Sequence, residues 1–285
     1  MTEDRSKQIV VWDTSAINRL AELGTRDELI RQMGFGHTHW IAGYVFDEIA
    51  STASKTQRDR LLSVCHELLG DSGGVLIHPS ILIVAGVAMF SEIGRLDWEV
   101  LLEPRREYEL AIISGVFDDE LASIQRPQLK RKLEDVEDYF ASMKPLYNRL
   151  FQSGRERVDT LEELVSMARS MGVFQQNVRY WCESILGREI DWQYAERFGR
   201  AFPPIRATIY AFLIGHFHRN NSRTSPGRAG AIDLQAAAYL VLCHKFVTDD
   251  RDQQRVLRDV VKYCSFKTDV SWFSGDFSKR FSDCV

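Results

Sequence analysis

Residues 8–23 read QIVVWDTSAINRLAEL, in which an apolar run is followed by three polar residues and then by a helical pattern. Gln8–Trp12 is rich in β-branched residues, which is typical of a short strand buried on both faces of a sheet. The polar residues Asp13–Ser15 favour the N-cap of a helix. The segment therefore predicts a buried strand that leads directly into a helix ending near Leu23.

The alternation of strand and helix continues to about residue 79 and returns after residue 230. Further strands are predicted at 39–43, 75–78, 246–248 and 263–267, and further helices at 44–53, 58–69, 232–245 and 251–261. Strands that alternate with helices in this way predict an α/β fold with a parallel sheet covered on both faces.

The segment between the two α/β parts is almost wholly helical in pattern. From Leu129 to Leu150 the apolar residues are spaced four and three apart, so we expect this helix to pack lengthwise on a partner helix. A second pattern, beginning at Pro203, is apolar nearly all round and predicts a buried helix. We therefore predict an α/β core formed by residues 1–79 and 226–285, and a long all-helical insertion, 80–225, packed as a lid or side domain.

The composition excludes several classes of protein. With 36 Lys and Arg against 40 Asp and Glu, the net charge is −4, which excludes a globally basic nucleic-acid binder but allows a local basic patch. Five cysteines occur without a C-x-x-C pair, which predicts a reduced cytoplasmic protein without a disulfide framework or a zinc ribbon. The longest apolar run, residues 81–90, is too short to cross a bilayer, so we expect a core helix there and no membrane association.

Acidic residues lie where the predicted strands end. Asp13 follows the first strand, Glu48 lies in the helix after the second, and Asp233 begins the alanine-rich helix near the end of the chain. Three more acids follow the strand at 246–248, namely Asp249, Asp250 and Asp252. Because ligands bind at the carboxyl ends of parallel strands, we expect these carboxylates to converge and to repel one another unless a hard cation is bound. Carboxylate ligands favour Mg²⁺ or Mn²⁺ over Zn²⁺.

The segments VVWDTSAIN, YVFDEIA, AIDLQAAAYL and FVTDDRD resemble, in this order, the four acidic motifs of PIN-domain nucleases. The resemblance covers roughly residues 1–80 and 228–270. It implies that the metal-binding and catalytic acids are Asp13, Glu48, Asp233 and Asp250. The chain departs from the small members of that family by the insertion of about 145 residues before the third acid.

Residues beside the first and fourth acids add to the resemblance. Ser15 and Thr248 match the small hydroxyl positions of the family, where they would orient water or a carboxylate. The run of aspartates leaves the fourth metal-binding position open to Asp249 or Asp252 as well as Asp250.

The resemblance implies Mg²⁺- or Mn²⁺-dependent hydrolysis of phosphodiester bonds, and we expect an endoribonuclease, with RNA favoured over DNA as the substrate. The alternative is a PIN-like scaffold without catalysis, whose helical insertion binds a protein partner. The oligomeric state stays open, a homo-oligomer included.

Three arginines predict a path for nucleic acid. Arg219, Arg223 and Arg228 lie in or next to an acid-free loop, 220–230, that leads to Asp233. A phosphate backbone entering an acidic site needs cations nearby, which these side chains could supply. Arginines in loops are also common without such a role, so the loop is equally consistent with a solvated connection.

Overall fold

The computed structural model describes residues 8–101, 158–221 and 231–279, together with positions 123, 127, 128, 131, 141, 144, 145 and 147–151. Most of the predicted heptad-like helix at 129–150 lies outside the described residues. Arg223 and Arg228, together with most of the loop at 220–230, also lie outside them.

The centre of the fold is a sheet of five parallel strands in the order β3-β2-β1-β4-β5. The strands are β1 (Gln8–Trp12), β2 (His37–Ile41), β3 (Gly74–Val75), β4 (Lys245–Thr248) and β5 (Asp269–Trp272). The first strand pairs with β2 on one side and with β4 on the other, so residues from opposite ends of the chain meet at the middle of the sheet. Val10, Val11 and Trp12 are completely buried there. The predicted α/β fold with a parallel sheet is confirmed.

Helices pack around this sheet. They are α1 (Thr14–Glu22), α2 (Arg26–Met33), α3 (Gly43–Ser51), α4 (Lys55–Leu69), α5 (Pro79–Ile93), α6 (Trp98–Leu101), α7 (Leu161–Ser170), α8 (Val173–Leu186), α9 (Trp192–Ala201), α10 (Pro203–Asn221), α11 (Ala231–Gln235) and α12 (Arg251–Cys264). A 3₁₀ helix, Ala236–Tyr239, follows α11, and a π-helical turn, Phe273–Phe277, follows β5.

The last predicted strand, at 263–267, is wrong. Helix α12 continues to Cys264 because its buried face, which includes Val256 and Val260, continues to that residue. The helix ends where Ser265 adopts a left-handed conformation with φ of 59°. The chain then enters β5, whose residues pair in parallel register with β4.

The alanine-rich helix is also shorter than the predicted 232–245. Helix α11 ends at Gln235 and the chain tightens into the 3₁₀ helix, all of whose residues are buried. The single hydroxyl proton of Thr268, just before β5, is shared between the carbonyl oxygens of Leu240 and Cys243. These bonds hold the chain in the turn that it must make before β4, so the helical pattern cannot continue.

The helices of the predicted insertion share the hydrophobic core of the sheet. Phe90 of α5, Val178 of α8, Phe198 of α9 and Ile214 of α10 belong to the same cluster of buried side chains as Val11. Helix α10 is buried as predicted, with Ala207, Ala211 and Ile214 fully inaccessible. The division of the chain into a core and an insertion stays a prediction.

Helix α5 buries one face. Leu82, Val87 and Phe90 pack inward, whereas Ile81 and Val84 are about half exposed, at 51% and 49%.

Within the part of the chain that the structure describes, no helix combines the length and the apolar character needed to cross a bilayer.

Candidate functional site

Asp13 lies at the carboxyl edge of the sheet, immediately after the central strand. Its backbone amide donates to the carbonyl of Val247 in β4 (3.0 Å), and its side chain caps the N-terminus of α1. The buried residues of β1 carry Asp13 into the interior, where only 3% of it is exposed.

The Asp13 carboxylate accepts hydrogen bonds from four residues. One oxygen, Oδ2, accepts from the Ser15 amide (3.1 Å), the Ser15 hydroxyl (2.6 Å) and the Thr248 hydroxyl (3.3 Å). The other, Oδ1, accepts from the Tyr44 hydroxyl (2.6 Å) and from Nε2 of Gln253 (3.4 Å). Because an ionised carboxylate only accepts hydrogen bonds, this ring of donors holds Asp13 in one orientation.

The two predicted hydroxyl residues meet beside Asp13. Ser15 Oγ lies 2.9 Å from Thr248 Oγ1, and it accepts a hydrogen bond from the Asp249 amide (2.8 Å). These contacts connect the first turn of α1 to the end of β4, so the two ends of the chain share one polar network.

Glu48 is carried to this edge by α3, which begins very close to the chain that follows β3. A Cβ atom at Gly43 would lie 2.4 Å from the Leu76 carbonyl oxygen and 2.8 Å from the His78 nitrogen, so only glycine fits there. The buried Tyr239 strengthens this junction: its hydroxyl donates to the Ile77 carbonyl (2.6 Å) and accepts from the Gly43 amide (3.3 Å).

The environment of Glu48 is unfavourable for a negative charge. Burial and the negative charge of Asp13 raise the pKa of Glu48 to about 7, against an opposing hydrogen bond with Thr14. At neutral pH this carboxyl group is therefore protonated in a substantial fraction of molecules.

Three of the predicted acids lie near the side chain of Tyr44. Burial raises the pKa of Tyr44 well above its ordinary range, and the charges of Asp13, Glu48 and Asp233 add to that shift. The main-chain oxygen of Asp233 also lies 3.4 Å from Nε2 of Gln253. The structure thus brings Asp13, Glu48 and Asp233 to one region at the carboxyl edge.

The aspartates after β4 have three different environments. Asp250 caps α12, because its Oδ1 accepts from the amides of Asp252 (2.7 Å) and Gln253 (3.0 Å). Asp249 instead accepts from the Ser274 amide (2.8 Å). Asp252 pairs with Arg255 (2.9 Å) on the outside of α12. Of the three, Asp250 is the one bonded to the Gln253 backbone and, through its own amide, to Thr248.

An open cleft of about 560 Å³ adjoins this network. Its lining residues are Ser15, Asn18, Arg19, Glu22, Asp249, Asp250 and Ser274. Arg19 bridges the cleft, since it donates to the Ser274 hydroxyl (3.3 Å) and to the Glu22 carboxylate (2.9 Å). The cleft therefore contains the positively charged guanidinium group of Arg19 beside the acids.

The donor atoms of the acidic residues are of the kind that a hard divalent cation prefers. The candidate donors are all carboxylate oxygen atoms. Burial raises the pKa of Glu48, and the negative charge of Asp13 raises it further, a contribution that a bound cation would offset. Among the residues that the structure describes, however, no three His, Cys, Asp or Glu side chains are grouped as ligands of one ion. The acids share a region without forming a closed ligand set.

Sequence reasoning missed Tyr44, Gln253 and Arg19. Tyr44 lies four residues before Glu48, and this spacing on one helix face was a usable signal. The contact of Gln253 with Asp13 joins residues 240 positions apart and had no local signal. Of the predicted arginines, Arg219 lies in the last turn of α10 and does not line the cleft.

Comparisons of the chain with protein-family models, with curated proteins and with solved structures found no match. The functional argument therefore depends on the chemistry of the site.

Proposed function

We propose that this protein is a divalent-cation-dependent nuclease of the PIN-like type, and that it cleaves RNA internally. The observation that carries the proposal is the buried, fully hydrogen-bonded carboxylate of Asp13 at the carboxyl edge of the sheet, together with Glu48, whose pKa is raised to about 7 by burial and by the nearby charge of Asp13. A site that gathers negative charge in this way is suited to a cation and, through it, to an anionic substrate.

The residues that would hold Mg²⁺ or Mn²⁺ are Asp13, Glu48, Asp233 and Asp250. When bound, such an ion activates water and neutralises charge on a phosphodiester. Ser15, Thr248 and Tyr44 keep the Asp13 carboxylate in a fixed orientation, and the Glu48 carboxyl can release its proton near neutral pH.

The cleft lined by Arg19 is the proposed entry for the strand, and Arg219, Arg223 and Arg228 are further arginines that we propose contact the nucleic acid. RNA is favoured over DNA by the resemblance of the four motifs to PIN-domain nucleases. We also propose a reducing, cytoplasmic location. In its support, Cys65, Cys182, Cys243 and Cys264 are buried and form no disulfide within the described residues.

The test is cleavage of labelled RNA and DNA by purified protein with Mg²⁺, Mn²⁺ or chelator. We expect Asp233→Asn and Glu48→Gln to lower the rate roughly a hundredfold or more, as when one preorganised electrostatic group is removed. Asp276→Asn is the matched control, because its side chain is about half exposed and pairs with Arg258 away from the acids. Absence of metal-dependent cleavage of either nucleic acid would reject the proposal and favour a scaffold that binds a protein partner.

A further inference from the structure

Arg251, the first residue of α12, is an exposed cation that no acidic residue of the described chain neutralises. The carbon of its guanidinium group lies 4.0 Å from the centre of the Trp272 ring, within the range of a cation–π contact. Three more basic residues follow on the same face of the helix, and each forms an ion pair: Arg255 with Asp252, Arg258 with Asp276 and Lys262 with Glu162. Arg251 has neither an ion pair nor a hydrogen bond to the described residues, so its N–H donors are available to a ligand.

The aspartates on both sides of Arg251 are engaged elsewhere. Asp249 accepts from the Ser274 amide, and Asp250 caps α12. Asp252 has the ion pair already named. The guanidinium group therefore keeps its full charge although three carboxylates are close in sequence.

Trp272 supports the guanidinium group rigidly. It is the last residue of β5, and it pairs in register with Thr248, whose hydroxyl donates to Asp13. A Cβ atom at Gly275 would overlap Cε3 of the indole ring, so the turn after β5 packs directly on this ring. A guanidinium group held against a fixed ring loses less conformational freedom when it binds a ligand.

Two arginines from different helices contact the chain beside the cleft. Arg19 donates to the Ser274 hydroxyl (3.3 Å), and Arg251 contacts Trp272, two residues earlier. Ser274 lines the cleft, and so does Asp250, the residue before Arg251. The backbone that carries Arg251 therefore adjoins the cleft on the α12 side, whereas Arg19 reaches it from α1.

We propose that Arg251 binds a backbone phosphate of the RNA strand in the cleft and that Trp272 is its positioning residue. The planar fork of N–H donors in a guanidinium group matches phosphate oxygens, which accept two parallel hydrogen bonds from it. This inference rests on the proposed function, to which it adds a contact with the substrate on the α12 side of the cleft.

The test is the binding of labelled single-stranded RNA from about 50 to 200 mM salt, with Asp233→Asn as the parent so that cleavage does not interfere. We expect Arg251→Ala to weaken binding roughly tenfold, as for the loss of one charge-assisted contact. It should also flatten the slope of log K against log salt by about 0.7. Lys262→Ala is the matched control, because it removes the same charge from the same face of α12, three turns further along.

A second substitution tests the role of Trp272. Trp272→Leu removes the ring and keeps the charge, so it should weaken binding in the parent and have no further effect once Arg251 is alanine. Additive losses would mean that a base stacks on Trp272 and would overturn its role as a positioning residue. Circular dichroism checks the fold, and Trp272→Met replaces Trp272→Leu if the leucine variant does not fold.

The remaining outcomes separate this inference from the proposed function. An equal salt slope in Arg251→Ala and the parent, or no RNA binding by the parent, would overturn the inference. Metal-dependent cleavage of RNA by the wild type would in either case leave the proposed function intact. The absence of both binding and cleavage would overturn both.

Discussion

At the scale of single residues, Asp13 is the most constrained side chain of the site. Its two oxygens accept from Ser15, Thr248, Tyr44 and Gln253, so the carboxylate is both a candidate ligand and a structural connection between distant segments. Its substitution therefore affects stability as well as activity, whereas a change at Asp233 leaves the main-chain bond to Gln253 in place.

We predict that Asp13→Asn lowers the free energy of unfolding by about 1–3 kcal/mol, because its amide group would face the donors of Tyr44 or Ser15. Urea unfolding in chelator measures the change. The control is Asp276→Asn, which should stay within about 0.5 kcal/mol of wild type because its exposed ion pair with Arg258 contributes little. Equal stability of Asp13→Asn and wild type would contradict the importance of the donor ring.

The raised pKa of Glu48 predicts that the stability of the protein depends on pH. Its folded-state pKa of about 7 lies above its ordinary value of 4.5, so the folded protein binds the proton more tightly than the unfolded chain. The resulting stabilisation is complete below about pH 4.5 and is lost as the pH rises through about 7. In chelator, Glu48→Gln should therefore melt at a higher temperature than wild type at pH 8, and the difference should shrink at pH 5.

The same melts with Mn²⁺ test whether a cation can replace the proton. At pH 8, Mn²⁺ at 100 times its Kd should stabilise the wild type by about 2.7 kcal/mol. Glu48→Gln should gain less, because it lacks one of the carboxylates. An identical shift in both proteins would mean that Glu48 is not part of the cation site.

At the scale of elements, helix α3 depends on a close approach between two chain segments. Its first residue, Gly43, lies against the backbone of Leu76 and His78, and the rest of the helix carries Tyr44 and Glu48 toward Asp13. The position of Glu48 is therefore set by the packing at the start of the helix, five residues earlier.

We predict that Gly43→Ala costs about 1–3 kcal/mol of stability, the usual cost of overpacking a buried position. It should also lower activity, because α3 must shift to admit the methyl group. Gly24→Ala is the matched control, since a Cβ there would meet no atom of the described residues within 4 Å. If both variants unfold at the same urea concentration, the close approach does not limit α3.

At the scale of the whole molecule, binding of a polyanion must overcome a net charge of −4. Local cations are therefore required, and besides Arg251 two sets are available: Arg19 in the cleft, and the group Arg219, Arg223 and Arg228. Each phosphate contact to a single strand contributes about 0.7 to the slope of log K against log salt.

We predict that replacing Arg219, Arg223 and Arg228 together by alanine flattens this slope by up to about 2. Binding is measured with RNA from about 50 to 200 mM salt in the Asp233→Asn background, so that cleavage does not interfere. Arg31→Ala, which removes an exposed partner of Glu28 on α2, is the control. An unchanged slope in the triple variant would mean that these three arginines do not contact the RNA, and Arg19 would then be the cation to test.

The sequence by itself determined the alternation of strands and helices and the order of the acids at the strand ends. These features depend on local periodicity and on the rule that the carboxyl ends of parallel strands share one edge. The buried run before Asp13 and the helical pattern around Glu48 were sufficient to predict that both acids lie at that edge.

Only the tertiary structure decided how the acids are held and which neighbours they have. The contacts of Asp13 with Thr248 and Gln253 join residues more than 230 positions apart, and no local pattern encodes them. The turn held by Thr268 ends the alanine-rich helix early, and the continued apolar face of α12 displaces the last strand. In each case the physical reason is the same: hydrogen bonds and burial between distant segments override the preference of the local sequence.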